Sequence, residues 1–206
     1  MEKVLRISVS AEIKDVAKTL KRKQKKQIPF ATSVAINNTL FKVRNQLQKD
    51  MDTIFRGGAV SWTRRAVKYK KSNKKDLTGI LYLEREQYKY LKYQIYGGVR
   101  PKKGGKSIPI PFRNRVSLTK AGNLRRAQIA RLLSAKQNKL LTINGVRGIY
   151  KVKKKSAPVL LVAMQQKSVT YTDKKFKYFY LVKRSAKKHF KKELQKGLQK
   201  ALKTAF

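Results

Sequence analysis

The chain has no cysteine, a single histidine, a single tryptophan and only ten acidic residues among 206. Without cysteine there can be no disulfide framework, no thiolate metal site and no thiol nucleophile. No apolar run approaches the ~18 residues that a membrane span needs. Met1-Glu2-Lys3-Val4-Leu5-Arg6 is not followed by a continuous apolar stretch, so it does not read as a secretory signal. The expectation is a protein made and kept in the cytosol, or assembled there, with no membrane partner.

Catalytic chemistry is short of groups. A Ser-His-Asp system or a histidine-based metal site would have to use the one imidazole, His189. His189 lies in a lysine-rich stretch with Glu193 four residues on, which reads as a surface His–Glu pair rather than a catalytic base. Asp50 and Asp52 differ by two on a helix and point apart. Glu84 and Glu86 read as solvent-facing charges on a strand. Gly97-Gly98 and Gly104-Gly105-Lys106 lack the spacing and the strand-to-helix frame of a phosphate-binding loop, and read as turns. The expectation is a protein that is not an enzyme and holds no cofactor or metal.

What the chain does have is positive charge. Its 53 Lys and Arg face ten Asp and Glu, for a formal net charge of +43. Solubility alone asks for a net charge of magnitude roughly 2–8 in a small domain. The excess repels itself and calls for a polyanionic partner. Lysine outnumbers arginine 38 to 15. A lysine is a point charge without a planar fork, which suits phosphate backbones better than base edges. The chain is still no disordered basic tail. Hydrophobic residues make up 41%, with ten Tyr and eight Phe, enough for a packed core.

The patterning predicts one α+β domain over 1–206: long amphipathic N-terminal helices on a mostly antiparallel sheet, and a C-terminal helix. Val4 to Ser10 alternates like a short strand, and Ser10 can cap a helix that runs into the basic cluster Lys21 to Lys26. Pro29 suits the first turn of a second helix, whose stripe is Ile36, Leu40, Val43, Leu47, Met51 and Ile54. Strands are expected from Arg65 to Lys71 and from Leu77 to Leu83, joined by a turn at Ser72 to Asp76. Another is expected over the tyrosine-rich stretch Tyr88 to Tyr96. The Pro/Gly-rich stretch around 97–116 reads as an extended, mobile loop. Asn123 can cap a helix from Leu124 to about Ala135, with Ile129, Leu132 and Leu133 inward. Gly148 to Lys154, Pro158 to Gln166 and Phe176 to Val182 look β-like. Ser185 then caps a terminal helix with the stripe Ala186, Phe190, Leu194, Leu198 and Leu202.

Four basic clusters are candidate contacts for nucleic acid or an acidic partner. The first is Arg64 and Arg65 with Lys68, Lys70 and Lys71. The second is Lys102, Lys103 and Lys106 in the loop. The third is Lys151, Lys153, Lys154 and Lys155. The fourth is the outer face of the last helix, with Lys187, Lys188, Lys191 and Lys192. In the loop, Val99, Ile108 and Ile110 are candidate anchors for docking on a partner. Tyr and Phe interleave with lysine at Tyr88 to Tyr96 and Lys174 to Tyr180, a pattern able to stack single-stranded bases but read here as half-buried β-surface.

The stretch from Lys26 through Pro29 and Ala35-Ile36-Asn37-Asn38-Thr39, followed by Val43-Arg44 and the end Met51 to Phe55, resembles the minor tail and tail-completion proteins of tailed bacteriophages, of the lambda Z type. So do Phe55 to Thr63, Leu91 to Gly98, Leu118 to Leu133 with its Asn-Leu-Arg-Arg-Ala-Gln-Ile core, and Gly148-Ile149-Tyr150. The likeness covers most of the chain and is carried by packing and turn patterns. The chain departs from it in a longer central loop and in lysine used for arginine. The resemblance implies a structural virion protein at the head–tail junction or upper tail, assembled in the host cytoplasm into a homo-oligomeric ring. Its implied partners are portal, adaptor or tail components and the backbone of packaged DNA. The competing expectation is a sequence-independent nucleic-acid-binding protein of ribosomal or nucleoid type, although no known RNA-binding signature is present.

Overall fold

A computed structural model describes residues 5–7, 22–55, 57–101, 107–165 and 168–203. The fold is α+β. It divides into two compact units. The first unit takes the chain to Ile54, then Ala59–Leu91 and the chain from Phe176 on; the second takes Phe55–Gly58 and Lys92–Lys175. The sequence hides this division because the C-terminal helix returns to pack on the N-terminal one.

The first unit is built on α1 (Arg22–Ile54), a helix of 33 residues. It starts a turn and more before Pro29, which therefore lies inside it rather than in its first turn. A proline there loses its N–H bond to the preceding turn and its ring crowds the carbonyl four residues back, a cost that the burial of Ile28 and Ala31 on either side offsets. Ile36, Leu40, Val43, Leu47 and Met51 are fully buried, as their spacing required. A three-stranded antiparallel sheet lies on α1, in the order β1 (Leu5–Ile7), β3 (Gly79–Leu83), β2 (Val67–Lys70). Val67, Leu81 and Leu83 alternate inward, with Lys68 and Lys70 outward. Gly79 lets sheet and helix touch: a Cβ there would sit 2.5 Å from Ile36 Cγ2 and 2.7 Å from Leu40 Cδ1.

The short helix α2 (Ser61–Arg64) precedes β2, and α3 (Arg85–Tyr96) follows β3. The strand expected at Tyr88 to Tyr96 is thus a helix. Its buried residues Gln87, Leu91 and Ile95 recur every four positions, a helical period that the tyrosines mask. The chain closes with α5 (Tyr178–Lys203), packed on α1. Phe176 to Val182 is not a strand, and Ser185 is a buried residue inside α5 rather than its cap.

The second unit holds a four-stranded antiparallel sheet in the order β5 (Ile108–Pro111), β8 (Ser156–Gln165), β7 (Val146–Lys153), β6 (Asn138–Ile143). A separate pair joins β4 (Gly98–Arg100) to β9 (Val169–Tyr171). Ile149, Leu161 and Val162 form its core with Val116, against which Leu118, Leu124, Ile129 and Leu132 pack. The helix expected from Leu124 begins later, as α4 (Gln128–Ser134), after Ala127 in a left-handed conformation, and Leu133 is exposed. The β6–β7 hairpin turns on Asn144-Gly145, both at positive φ.

The expected loop at 97–116 is partly sheet. Gly98–Arg100 pairs with Val169–Tyr171, and Ile108–Pro111 pairs with Val162–Gln165, so backbone hydrogen bonds order both ends. Residues 8–21, which hold most of the helix expected after Ser10, and the basic residues Lys102, Lys103 and Lys106 lie outside the described residues, while the basic run from Arg22 to Lys26, expected at that helix's C-terminal end, instead opens α1.

Candidate polyanion-binding surface

Among the described residues, most of the few acids have partners within the protein, and Glu193 is the buried one. Glu193 of α5 is buried against α1, where Lys42 Nζ donates to it at 2.6 Å and Asn38 Nδ2 at 3.2 Å. This overturns its reading as the surface partner of His189. The two hydrogen bonds, Lys42's first, hold its carboxyl below the ordinary range against the opposing effect of burial. His189 is pushed below its usual value by burial, then by the positive fields of Lys42 and Lys188, with Glu193 opposing weakly. Among the described residues no cluster of three or more His, Asp or Glu could hold a metal ion.

Asp52 ties the end of α1 to the segment leading into α2, accepting from the Ala59 N–H at 3.2 Å and from Arg64 Nη1 at 3.2 Å. Asp50 accepts from Gln46 Nε2 at 2.8 Å. Glu86 lies in the first turn of α3, not on a strand, and pairs with Lys89. Asp76 accepts from the Thr78 N–H in the β2–β3 turn, and Asp173 pairs loosely with Lys175 at 3.9 Å.

The cations go mostly outward. In the first unit Arg65, Lys68, Lys70 and Lys71 are exposed, and Lys68 and Lys70 stand opposite Tyr82 and Ile80 on the outer face of the sheet. Arg64 is partly spent on Asp52. Strand β2 is an edge of its sheet, so its lysines also discourage pairing with another strand. On α5, Lys187, Lys188, Lys191 and Lys192 are all exposed, together with Lys183 and Arg184. In the second unit Lys153, Lys154 and Lys155 form the tip of the β7–β8 hairpin, while Lys151 is half-buried within β7. The proposed anchors do not form one arm: exposed Val99 lies in β4, whereas half-buried Ile108 and exposed Ile110 lie in β5, in a different sheet.

Sequence reasoning passes over the residues that frame this surface. Asn37 and Asn38 leave α1 in different directions. Asn37 pairs with the backbone of Ser72, accepting from its N–H at 2.8 Å and donating to its carbonyl at 3.1 Å, while Asn38 reaches Glu193. The Asn-Asn pair therefore fastens both the turn after β2 and α5 to one turn of α1. The i,i+4 spacing of Asn38 and Lys42 is the signal that could have found it. Likewise Tyr180 and Arg184, four apart on α5, stack with the guanidinium carbon 5.5 Å from the ring centroid.

Compared with protein-family models, curated proteins and solved structures, the chain matches none of them. Among the described residues no helix is long and apolar enough to cross a membrane.

Proposed function

We propose that the chain is a structural protein of a tailed-phage particle, placed at the head–tail junction or upper tail, whose basic surface lies against DNA phosphates or acidic partner rings. The observation that carries the polyanion part is the disposition of charge. Even with every one of the ten acids paired internally, a surplus equal to the net charge of +43 would remain. Glu193, Asp50 and Asp52 are turned to internal partners, and the lysines of α5, β2 and the β7–β8 tip face solvent. Such a surface neutralises phosphates without reading sequence, or steers assembly with acidic proteins.

The placement in a particle rests on the resemblance of the α1 stretch and its neighbours. The scarcity of catalytic groups agrees with a structural role. The test is quantitative protein analysis of purified particles. A fixed copy number per particle, retained in the isolated tail or neck fraction, is expected. Absence from particles, with recovery on ribosomes or the nucleoid, would replace this reading by the non-viral one.

A further inference from the structure

We infer that the outward face of α5 from Tyr180 to Lys192 is a docking surface for double-stranded DNA, contacted through its phosphate backbone. This rests on the polyanion-binding proposal and names the surface and the partner.

The apolar side of α5, with Val182 and Leu194 buried, is consumed in the core of the first unit. Its one acid, Glu193, is withdrawn beneath the helix and bonded to Lys42 and Asn38. What remains outside is cationic. Tyr180, Arg184, Lys187, Lys188 and Lys191 fall at i, i+4, i+7, i+8 and i+11, a single ridge at the helical period. From Lys183 to Lys192 the helix advances ~15 Å and exposes six cations. A duplex presents about nine phosphates over the same ~15 Å.

The shape selects among polyanions. A lipid surface holds an amphipathic helix by its apolar face, and here that face is buried. Single strands are held in grooves with several free aromatic rings. This ridge is convex and offers one, Tyr180, whose ring is already covered by Arg184. That stack leaves a guanidinium oriented at the surface, where its planar fork can take two phosphate oxygens. The lysines around it supply positive charge with no base-reading geometry.

The test is anisotropy titration of the full chain against a short fluorescent duplex of mixed sequence, repeated between about 50 and 200 mM salt. The slope of log affinity against log salt should lose about 0.9 for each lysine–phosphate contact removed, so K187Q/K188Q/K191Q/K192Q should lose between about 1.8 and 3.6. All four side chains are exposed, and K191Q alone, expected to lose about 0.9, serves if the fourfold variant fails to fold. K120Q/K136Q/K139Q, three exposed lysines of the second unit outside the four basic clusters, should keep the wild-type slope. If the wild type binds but the α5 variants keep its slope, this inference falls and the polyanion reading stands. If the wild type does not bind the duplex, this inference falls together with the DNA half of the polyanion reading, and binding to poly-L-glutamate decides whether the acidic-partner half stands. Displacement of the duplex by poly-L-glutamate at equal charge concentration would overturn DNA in favour of an acidic protein partner.

Discussion

Lys42 on α1 and Glu193 on α5 form a 2.6 Å ion pair in which the carboxylate is buried and the ammonium reaches the surface. The asymmetry fixes an order of mutational effects. Removing Lys42 leaves a buried charge with only Asn38 for company, whereas neutralising Glu193 leaves a lysine that can turn to water. Lys42→Met should therefore cost more stability than Glu193→Gln, with the first in the range of about 2–4 kcal/mol and the second about 1–2 kcal/mol. Urea unfolding measures both, and the reverse order would show that the pair is not what joins the helices.

Acid should lower the stability of the protein through two pH windows. His189 is held below its ordinary value of 6.5, so the unfolded chain takes up its proton first and stability falls as pH drops below about 6.5. Glu193 is held below 4.5, so the stability from its bonds to Lys42 and Asn38 is present above that value and is lost as pH falls through its folded pKa. His189→Gln should flatten the upper window and Glu193→Gln the lower one in urea midpoints followed from neutral to acid pH. Stability that rises on acidification through either window would contradict the assignment.

The legible parts of the fold are those where one face of an element carries the core. The α1 stripe from Ile36 to Met51 and the hairpin closed at Ser72 to Asp76 can be read because burial imposes a single period on each. The misread parts have a louder pattern over a quieter one. Tyrosines at 88, 90, 93 and 96 suggest a strand, yet the buried Gln87, Leu91 and Ile95 keep helical spacing. Asn144-Gly145 is the strongest local hairpin signal in the chain, and with it goes β6, which the strand expectations omit. Of the candidate surface, the exposed lysines of α5 are legible from their helical face. The withdrawal of Glu193 is not, because it depends on α1 and α5 meeting across some 150 residues of sequence.

Gly197 tests how closely those helices approach. A Cβ there would lie 2.8 Å from the Ala31 carbonyl oxygen, which is backbone and cannot swing aside. On propensity alone Gly197→Ala should stabilise α5 by up to about 1 kcal/mol. The contact predicts the opposite sign, a loss of about 1–3 kcal/mol. A raised melting temperature would mean that the helices are farther apart.

The purified chain should not cut DNA in the presence of magnesium or manganese. Asp52 is engaged as a cap for Ala59 and a partner for Arg64, and Asp50 with Gln46. Asp52→Asn should lower stability while changing no activity. Plasmid nicking that disappears in Asp50→Asn or Asp52→Asn would show that these carboxylates do chemistry.

The central claim, that the uncompensated charge is built to neutralise phosphates without reading bases, is tested most directly by wild-type affinity for several unrelated duplexes across salt. Equal affinities for all sequences are predicted, with a steep linear fall of log affinity against log salt, each neutralised phosphate adding about 0.9 to the slope. A flat salt dependence, or a strong preference for one sequence, would contradict it.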